Sequence, residues 1–240
     1  MRAIITFHAI DDHPGPLSFP AKALDKLLGA LRAADIPIVD LKTALAPETK
    51  RGVALTFDDG MACVADAAFP ILKGHGVPAH VFLTTAAIGK DNRWSGQPEM
   101  DSYHPMLDWR QIEHLHAGGV MIEGHTATHP DLRTLSDAAI AEEMSKSDGE
   151  IEARLGRRPQ YFAYPYGFHD ARVRAVASAH YAGSVTTEFR TLEGAIQLDA
   201  IPRLDSHYLR SPLLMRNLSG QAARRYLALR RLIRRLRNIS

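Results

Sequence analysis

The sequence holds one cysteine, Cys63, in 240 residues, so no disulfide can form within the chain and burial and hydrogen bonding must hold the fold. A lone thiol fits a reducing compartment, and a cytoplasmic location is the expectation. Long apolar runs are also missing: none approaches the roughly 20 residues that span a bilayer as a helix. The opening Met-Arg-Ala-Ile-Ile-Thr-Phe has one basic residue and no small-residue cleavage site, so it is expected to be a strand rather than a signal. Acidic residues are absent after Asp205, while Arg210, Arg216, Arg224, Arg225, Arg230, Arg231, Arg234, Arg235 and Arg237 follow. The net charge of +2 therefore conceals an acidic body, with 20 basic against all 27 acidic residues, and a wholly basic tail.

What is present is ordinary for a soluble globular protein, with 45% hydrophobic and 23% charged residues. Short apolar runs at Arg2–Phe7, Val53–Phe57, Ala79–Leu83, Val120–Glu123, Tyr161–Ala163 and Ala182–Thr186 alternate with helical patterns over 21–34, 63–75, 109–117, 136–155 and 170–180. Such alternation predicts an α/β fold with a mainly parallel sheet, closed as a barrel or left open. In either form ligands gather at the carboxyl ends of the strands. Residues 88–107 lack periodicity and contain Trp94, Pro98 and Pro105, so they read as a long loop at the mouth of the fold. The composition changes near 208–215, which divides the chain into a domain over 1–210 and a basic amphipathic helical tail over 211–240.

Two polar clusters follow predicted strands. Asp58-Asp59-Gly60 ends the run Val53–Phe57. Adjacent carboxylates suppress each other's ionisation, and a cation would relieve that; turn and helix-cap duty is the alternative. Gly124-His125-Thr126-Ala127-Thr128-His129-Pro130 follows the fourth run. If it turns helically, both imidazoles share a face within reach of one ion; two solvated loop histidines are the alternative. Asp59, His125 and His129 together would supply one carboxylate and two nitrogens while leaving positions open for water and substrate, which suits catalysis.

Thr56-Phe57-Asp58-Asp59-Gly60, His125-Thr126-Ala127-Thr128-His129 and Phe162-Ala163-Tyr164-Pro165-Tyr166-Gly167 resemble, in order, the first three signature motifs of the polysaccharide deacetylases, the NodB-homology or family 4 carbohydrate esterases. The resemblance spans about residues 2–205. It implies a distorted (β/α)7 barrel in a single domain, and an enzyme that removes N-acetyl groups from N-acetylhexosamine residues of a polysaccharide or lipid-linked glycan. By the same resemblance Asp58 is the general base, and Asp59, His125 and His129 hold a divalent metal, most often zinc, with cobalt or nickel as alternatives. The backbone N–H of Tyr166, set by Pro165, would stabilise the oxyanion; the side chains of Tyr164 and Tyr166 could equally be wall packing.

Two features depart from the family pattern. Many members carry an arginine where Ala163 stands, and Arg203 in Ile201-Pro202-Arg203-Leu204 is the candidate to orient the base instead. The closing Leu-x-His is one residue too long in Leu204-Asp205-Ser206-His207, which makes His207 the weaker candidate for the general acid. His8, in Thr6-Phe7-His8, is the better one and resembles a motif of the subgroup acting on exopolysaccharides and poly-N-acetylglucosamine. His13, His75, His80, His104, His114, His116, His169 and His180 are expected to decorate helices and loops.

In the tail, Tyr226, Leu229, Ile233 and Leu236 recur at helical spacing among arginines. A helix docked on the body, a partner-binding helix and an amphipathic segment on anionic lipid are all open, with peripheral membrane association ranked first and no nucleic acid expected. Hydrolysis of another non-peptide amide on the same fold, or a carbohydrate-binding relative without catalysis, are the alternatives to deacetylation.

Overall fold

The computed structural model describes residues 1–95, 103–210 and 220–236. Seven parallel strands close into a barrel in sequence order: β1 (Arg2–Phe7), β2 (Gly52–Phe57), β3 (His80–Leu83), β4 (Met121–Gly124), β5 (Tyr161–Ala163), β6 (Gly183–Phe189) and β7 (Ile201–Asp205). β1 pairs with β2 along its whole length and with β7 through Ile5 and Thr6, which shuts the ring. All six residues of β2 are buried, as a parallel strand covered on both faces requires, and this is why the strands read as continuous apolar runs.

The helices are α1 (Ala21–Ala33), α2 (Leu41–Leu45), α3 (Phe69–His75), α4 (Trp109–Ala117), α5 (Asp137–Leu155), α6 (Ala171–His180) and α7 (Gln221–Leu236). α1 buries Leu24, Leu27, Leu28 and Leu31, one stripe at the 3.6-residue period. Side-chain caps set several starts: Asp108 and Gln111 form a reciprocal capping box on α4, and Ser136 and Asp170 cap α5 and α6. The helical pattern over 63–75 resolves into a π-helical turn, Val64–Ala68, followed by α3, with Pro70, which has no N–H to donate, at the junction.

β7 escaped the periodicity because Pro202 interrupts its run. The strand tolerates the proline where its pairing with β6 is irregular, between Val185 and Phe189. The β6–β7 connection also carries no helix, so one stretch of the barrel's outer wall lacks its covering layer. α7 supplies the cover: Leu227 joins Phe189, Leu204 and Leu209 in the main core, and Tyr226 Oη donates to the Tyr208 carbonyl at 3.2 Å. Of the three readings of the tail, docking on its own barrel is therefore realised on one face of this helix. No helix among the described residues is long and apolar enough to cross a membrane.

Candidate active site

Every residue singled out at a strand end, His8, Asp58, Asp59, His125, Tyr164 and Tyr166, faces the same mouth of the barrel. The two carboxylates after β2 avoid each other by turning apart. Asp59 takes a left-handed backbone, φ 72°, and Gly60 continues the turn at φ 88° with the Leu83 side chain 2.6 Å from where a Cβ would stand. Thus Asp58 faces β7 while Asp59 faces the loop after β4.

Asp58 meets Arg203 head on. Its two oxygens accept from the Arg203 guanidinium at 2.7 and 2.6 Å, and both side chains are buried. The guanidinium is itself fixed, with Nε donating to the Thr186 carbonyl and Nη1 to Thr56 Oγ1. Burial pushes Asp58 up, but the charge and hydrogen bonds of Arg203 outweigh it and hold the carboxyl below its usual range. Arg203 thus stands on β7 against the same carboxylate that a third-motif arginine would reach from the Ala163 position, and the Ala163 carbonyl is given to His125 instead.

The segment after β4 is not a helical turn. Thr126 and His129 both lie in the left-handed region, φ 68° and 60°, so the imidazoles converge through two strained residues rather than through helical spacing. Thr126 Oγ1 accepts from the His129 N–H at 3.0 Å, and Glu143 of α5 accepts from the N–H groups of Ala127 and Thr128 and from the Thr128 hydroxyl. His125 Nδ1 donates to the Ala163 carbonyl at 2.7 Å, which leaves Nε2 facing Asp59 Oδ1 at 3.2 Å, with His129 Nε2 3.6 Å from the same oxygen.

These three ligand atoms lie within 4.8 Å of one another, and all three residues are buried. A carboxylate and two imidazole nitrogens are a donor set that zinc, cobalt or nickel accepts. The local electrostatics fit as well. Burial, then the neighbouring His125, pushes His129 down to about 3, so its imidazole is neutral, while burial of Asp59 is outweighed by His125, His8 and His129, which keep it ionised. Burial opposes charge on His125, yet Asp59 and Asp58 hold it above its ordinary value, as expected where two carboxylates need a cation.

His8, Asp58, Asp59, His125, His129, Tyr164 and Tyr166 line one cavity of about 180 Å³ with Leu17, Trp94, Gly167 and Thr187. A larger cavity of about 400 Å³ between α7 and the barrel holds no metal-ligating cluster among the described residues. Trp94 lies against the His129 ring at 4.4 Å between centroids and Tyr166 edge-on to it at 4.5 Å. Pro165 opens the short turn that sets Tyr166 at φ 58°, and Gly167 is demanded by Thr187, whose Oγ1 would sit 2.1 Å from a Cβ. Tyr164 is chiefly wall: it is fully buried, and its hydroxyl donates to the Asp199 carbonyl.

His207 is not brought to this cavity. It packs edge-on against Tyr208 among Arg210 and Arg230, because the short helix after β7 turns it toward α7. His80 and His104 do not decorate the surface either; both are buried, His80 between Glu123 and the Leu41 N–H, and His104 beside Asp11. Sequence reading missed Trp94, Leu17 and Glu143 as parts of the site. Trp94 had a signal, a lone indole in the long loop, whereas a glutamate in a helix has none.

A family model of polysaccharide deacetylases matches residues 46–183, more than half of the chain. A poly-β-1,6-N-acetyl-D-glucosamine N-deacetylase of Staphylococcus epidermidis is 27% identical over 164 residues, covering 65% of this chain and 54% of that one. The chain spans about half the length of the first curated relatives it matches. In fold it is similar to the Streptococcus pyogenes deacetylase PplD, solved with acetate (TM-score 0.73, 24% identity, 84% of this chain and 90% of that one). It is likewise similar to IcaB from Ammonifex degensii (TM-score 0.73, 21% identity, 90% and 94%). With the barrel closed, the three motifs on its mouth and the family's model covering most of both, the chain belongs to the polysaccharide deacetylase family.

Proposed function

We propose that the protein is a metal-dependent N-deacetylase that hydrolyses the acetamide of N-acetylhexosamine units in a glycan, of the exopolysaccharide or poly-N-acetylglucosamine class. The observation that carries it is the division of labour between two adjacent carboxylates: Asp58 is tied to Arg203, and Asp59 is tied to two histidines, across one small cavity. Asp59, His125 and His129 would hold the divalent ion, zinc or else cobalt or nickel, which lowers the pKa of a water and polarises the amide carbonyl.

The remaining work falls to the chain. Asp58, kept ionised by Arg203, accepts a proton from the attacking water. The bidentate grip also fixes the plane of the carboxylate, so the base does not have to be ordered at the moment of reaction. The Tyr166 N–H, aimed by the Pro165 turn, stabilises the oxygen that becomes anionic. His8 on the rim of the same cavity gives a proton to the leaving nitrogen as the C–N bond breaks, releasing acetate and a free amine. Trp94 and Tyr166 flank His129 and narrow the space to an acetamide rather than a bulky acyl group.

Acetate release from poly-β-1,6-N-acetylglucosamine and from chitooligosaccharides, measured on zinc-loaded protein, tests the proposal. Release that disappears in Asp58→Ala is the expected result. Ion-loaded protein that binds these glycans but frees no acetate from any acetylated sugar would establish the non-catalytic reading instead, and turnover of simple amides alone would move the substrate class.

A further inference from the structure

α7 has two apolar faces and uses only one. Ala223 and Leu227 are buried against the barrel, with Tyr226 and Arg230 folded over Tyr208. At about 100° per residue Leu229 and Leu232 lie on the opposite side of the helix. They are 56% and 54% exposed, two of the four large exposed hydrophobics among the described residues. Arg225 is exposed on that outer face as well. Exposed leucines one turn apart on a helix that already has its core contact are not explained by folding.

We infer that the outer face of α7 is a docking surface for an anionic lipid bilayer. Charge singles out this occupant. From Ser206 to the C-terminus there are nine arginines and no acidic residue, whereas the rest of the chain is net acidic. Among the described residues, the one carboxylate that reaches α7 is Glu188, which pairs with Arg231 on the barrel side at 3.7 Å. A helix lying in the headgroup plane buries leucines at the acyl boundary while long arginine stems carry their charge out to lipid phosphates. Nucleic acid would use the arginines but has no place for the leucines. Because α7 is pinned to the barrel through Leu227, its outer face would set the whole catalytic domain against the membrane in one orientation. This inference stands apart from the deacetylase reading, since it uses no residue of the cavity.

The test must leave α7 in place, because deleting it uncovers Phe189 and Leu204 of the core. Full-length protein is floated with vesicles of phosphatidylcholine containing phosphatidylglycerol, and with vesicles of phosphatidylcholine alone. Wild type should float with the anionic vesicles and stay behind with the neutral ones. Leu229→Glu with Leu232→Glu should weaken partition by at least ~10-fold, from the loss of two buried leucines, while thermal melting and acetate release from a soluble chitooligosaccharide stay as in wild type. Arg225→Glu, which touches no apolar contact, should weaken it less. Failure of wild type to float, equal flotation with neutral vesicles, or a double variant that floats like wild type would overturn the inference. So would retention by duplex DNA in place of vesicles.

Discussion

Two buried polar clusters sit within a few residues of each other on β4, and only one opens to a cavity. In the closed one, Glu123 accepts from His80 Nδ1 and from the N–H groups of Gln160 and Tyr161, and Arg157 lies 3.4 Å away. His80 is occupied at both nitrogens, since its Nε2 accepts from the Leu41 N–H. In the open one, the histidine and aspartate atoms face a common point, four residues have left-handed backbones (Asp59, Thr126, His129 and Tyr166), and His129 Nδ1 has no hydrogen-bond partner. Both clusters bury carboxylates beside imidazoles. The contrast teaches that burial of titratable groups alone does not mark a site; convergence of lone pairs on a common point, held by strained backbone, does.

The sharpest break in the comparison is functional. Asp58→Asn keeps the shape and one of the two acceptors for Arg203, but it removes the base. Turnover is expected to fall by ~10²–10⁴-fold, the range for a positioned acid–base group, and melting falls as well because the buried Arg203 charge loses its counter-ion, so rates are compared well below the variant's melting point. A variant that retains near wild-type acetate release would place the base elsewhere. In the closed cluster the same kind of change should act on stability. Glu123→Ala leaves two N–H groups and His80 without their acceptor and is expected to cost about 3–5 kcal/mol, as when one partner of a buried pair is removed. Urea unfolding measures this; a midpoint equal to wild type would refute the assignment of Glu123 as structural.

The open cluster was largely legible and the closed one was not, for physical reasons that differ by residue. Asp58-Asp59-Gly60 and His125 to His129 stand out because charged and imidazole groups directly after apolar runs need partners. Arg203 was named as the candidate to orient the base, but the strand that carries it was not, since Pro202 hid that strand. His80 was misjudged as decoration: it ends no run, and its partner Glu123 lies 43 residues away. The helical expectation for His125–His129 failed because left-handed backbone at threonine and histidine has no signature in residue type. Glu143 could not have been found, since a glutamate in the middle of α5 is what a solvated helix face presents anyway.

Glu143 offers the next test, because it links the open cluster to a helix that takes no other part in it. Glu143→Ala frees the Thr128 N–H and hydroxyl and leaves the Ala127 N–H with only the Glu143 main-chain carbonyl, 3.1 Å away, so the loop that carries His129 loses its side-chain brace. Zinc affinity, measured by chelator competition, is expected to weaken by ~10–100-fold, the usual effect of removing a group that orients a ligand. Glu143→Gln, whose carbonyl can still accept from both N–H groups, should recover most of it. Equal affinity in all three proteins would mean that the strained loop holds its own shape.

The smallest expected effect comes from Asp148, next to the closed cluster. It is fully buried on α5, accepts from Tyr181 Oη at 2.9 Å, and has Arg158 at 3.6 Å as its nearest cation. Burial outweighs both and raises its pKa to about 6. A folded-state pKa above the ordinary 3.8 means that the folded protein binds this proton more tightly than the unfolded chain. The resulting stability is fully present below the ordinary value and is lost as pH rises through about 6. At neutral pH wild type therefore carries a buried charge that Asp148→Asn does not. The distance between 3.8 and about 6 limits the gain to about 3 kcal/mol. The amide gives part of that back, because it sets an N–H beside Arg158 and forfeits the ion pair, and a net advantage of about 1 kcal/mol at pH 7.5 is expected. Chemical unfolding at pH 7.5 and pH 4.5 checks the sign. The variant should gain on wild type only at the higher pH, and a difference that is the same at both would show that Asp148 titrates as it does in the unfolded chain.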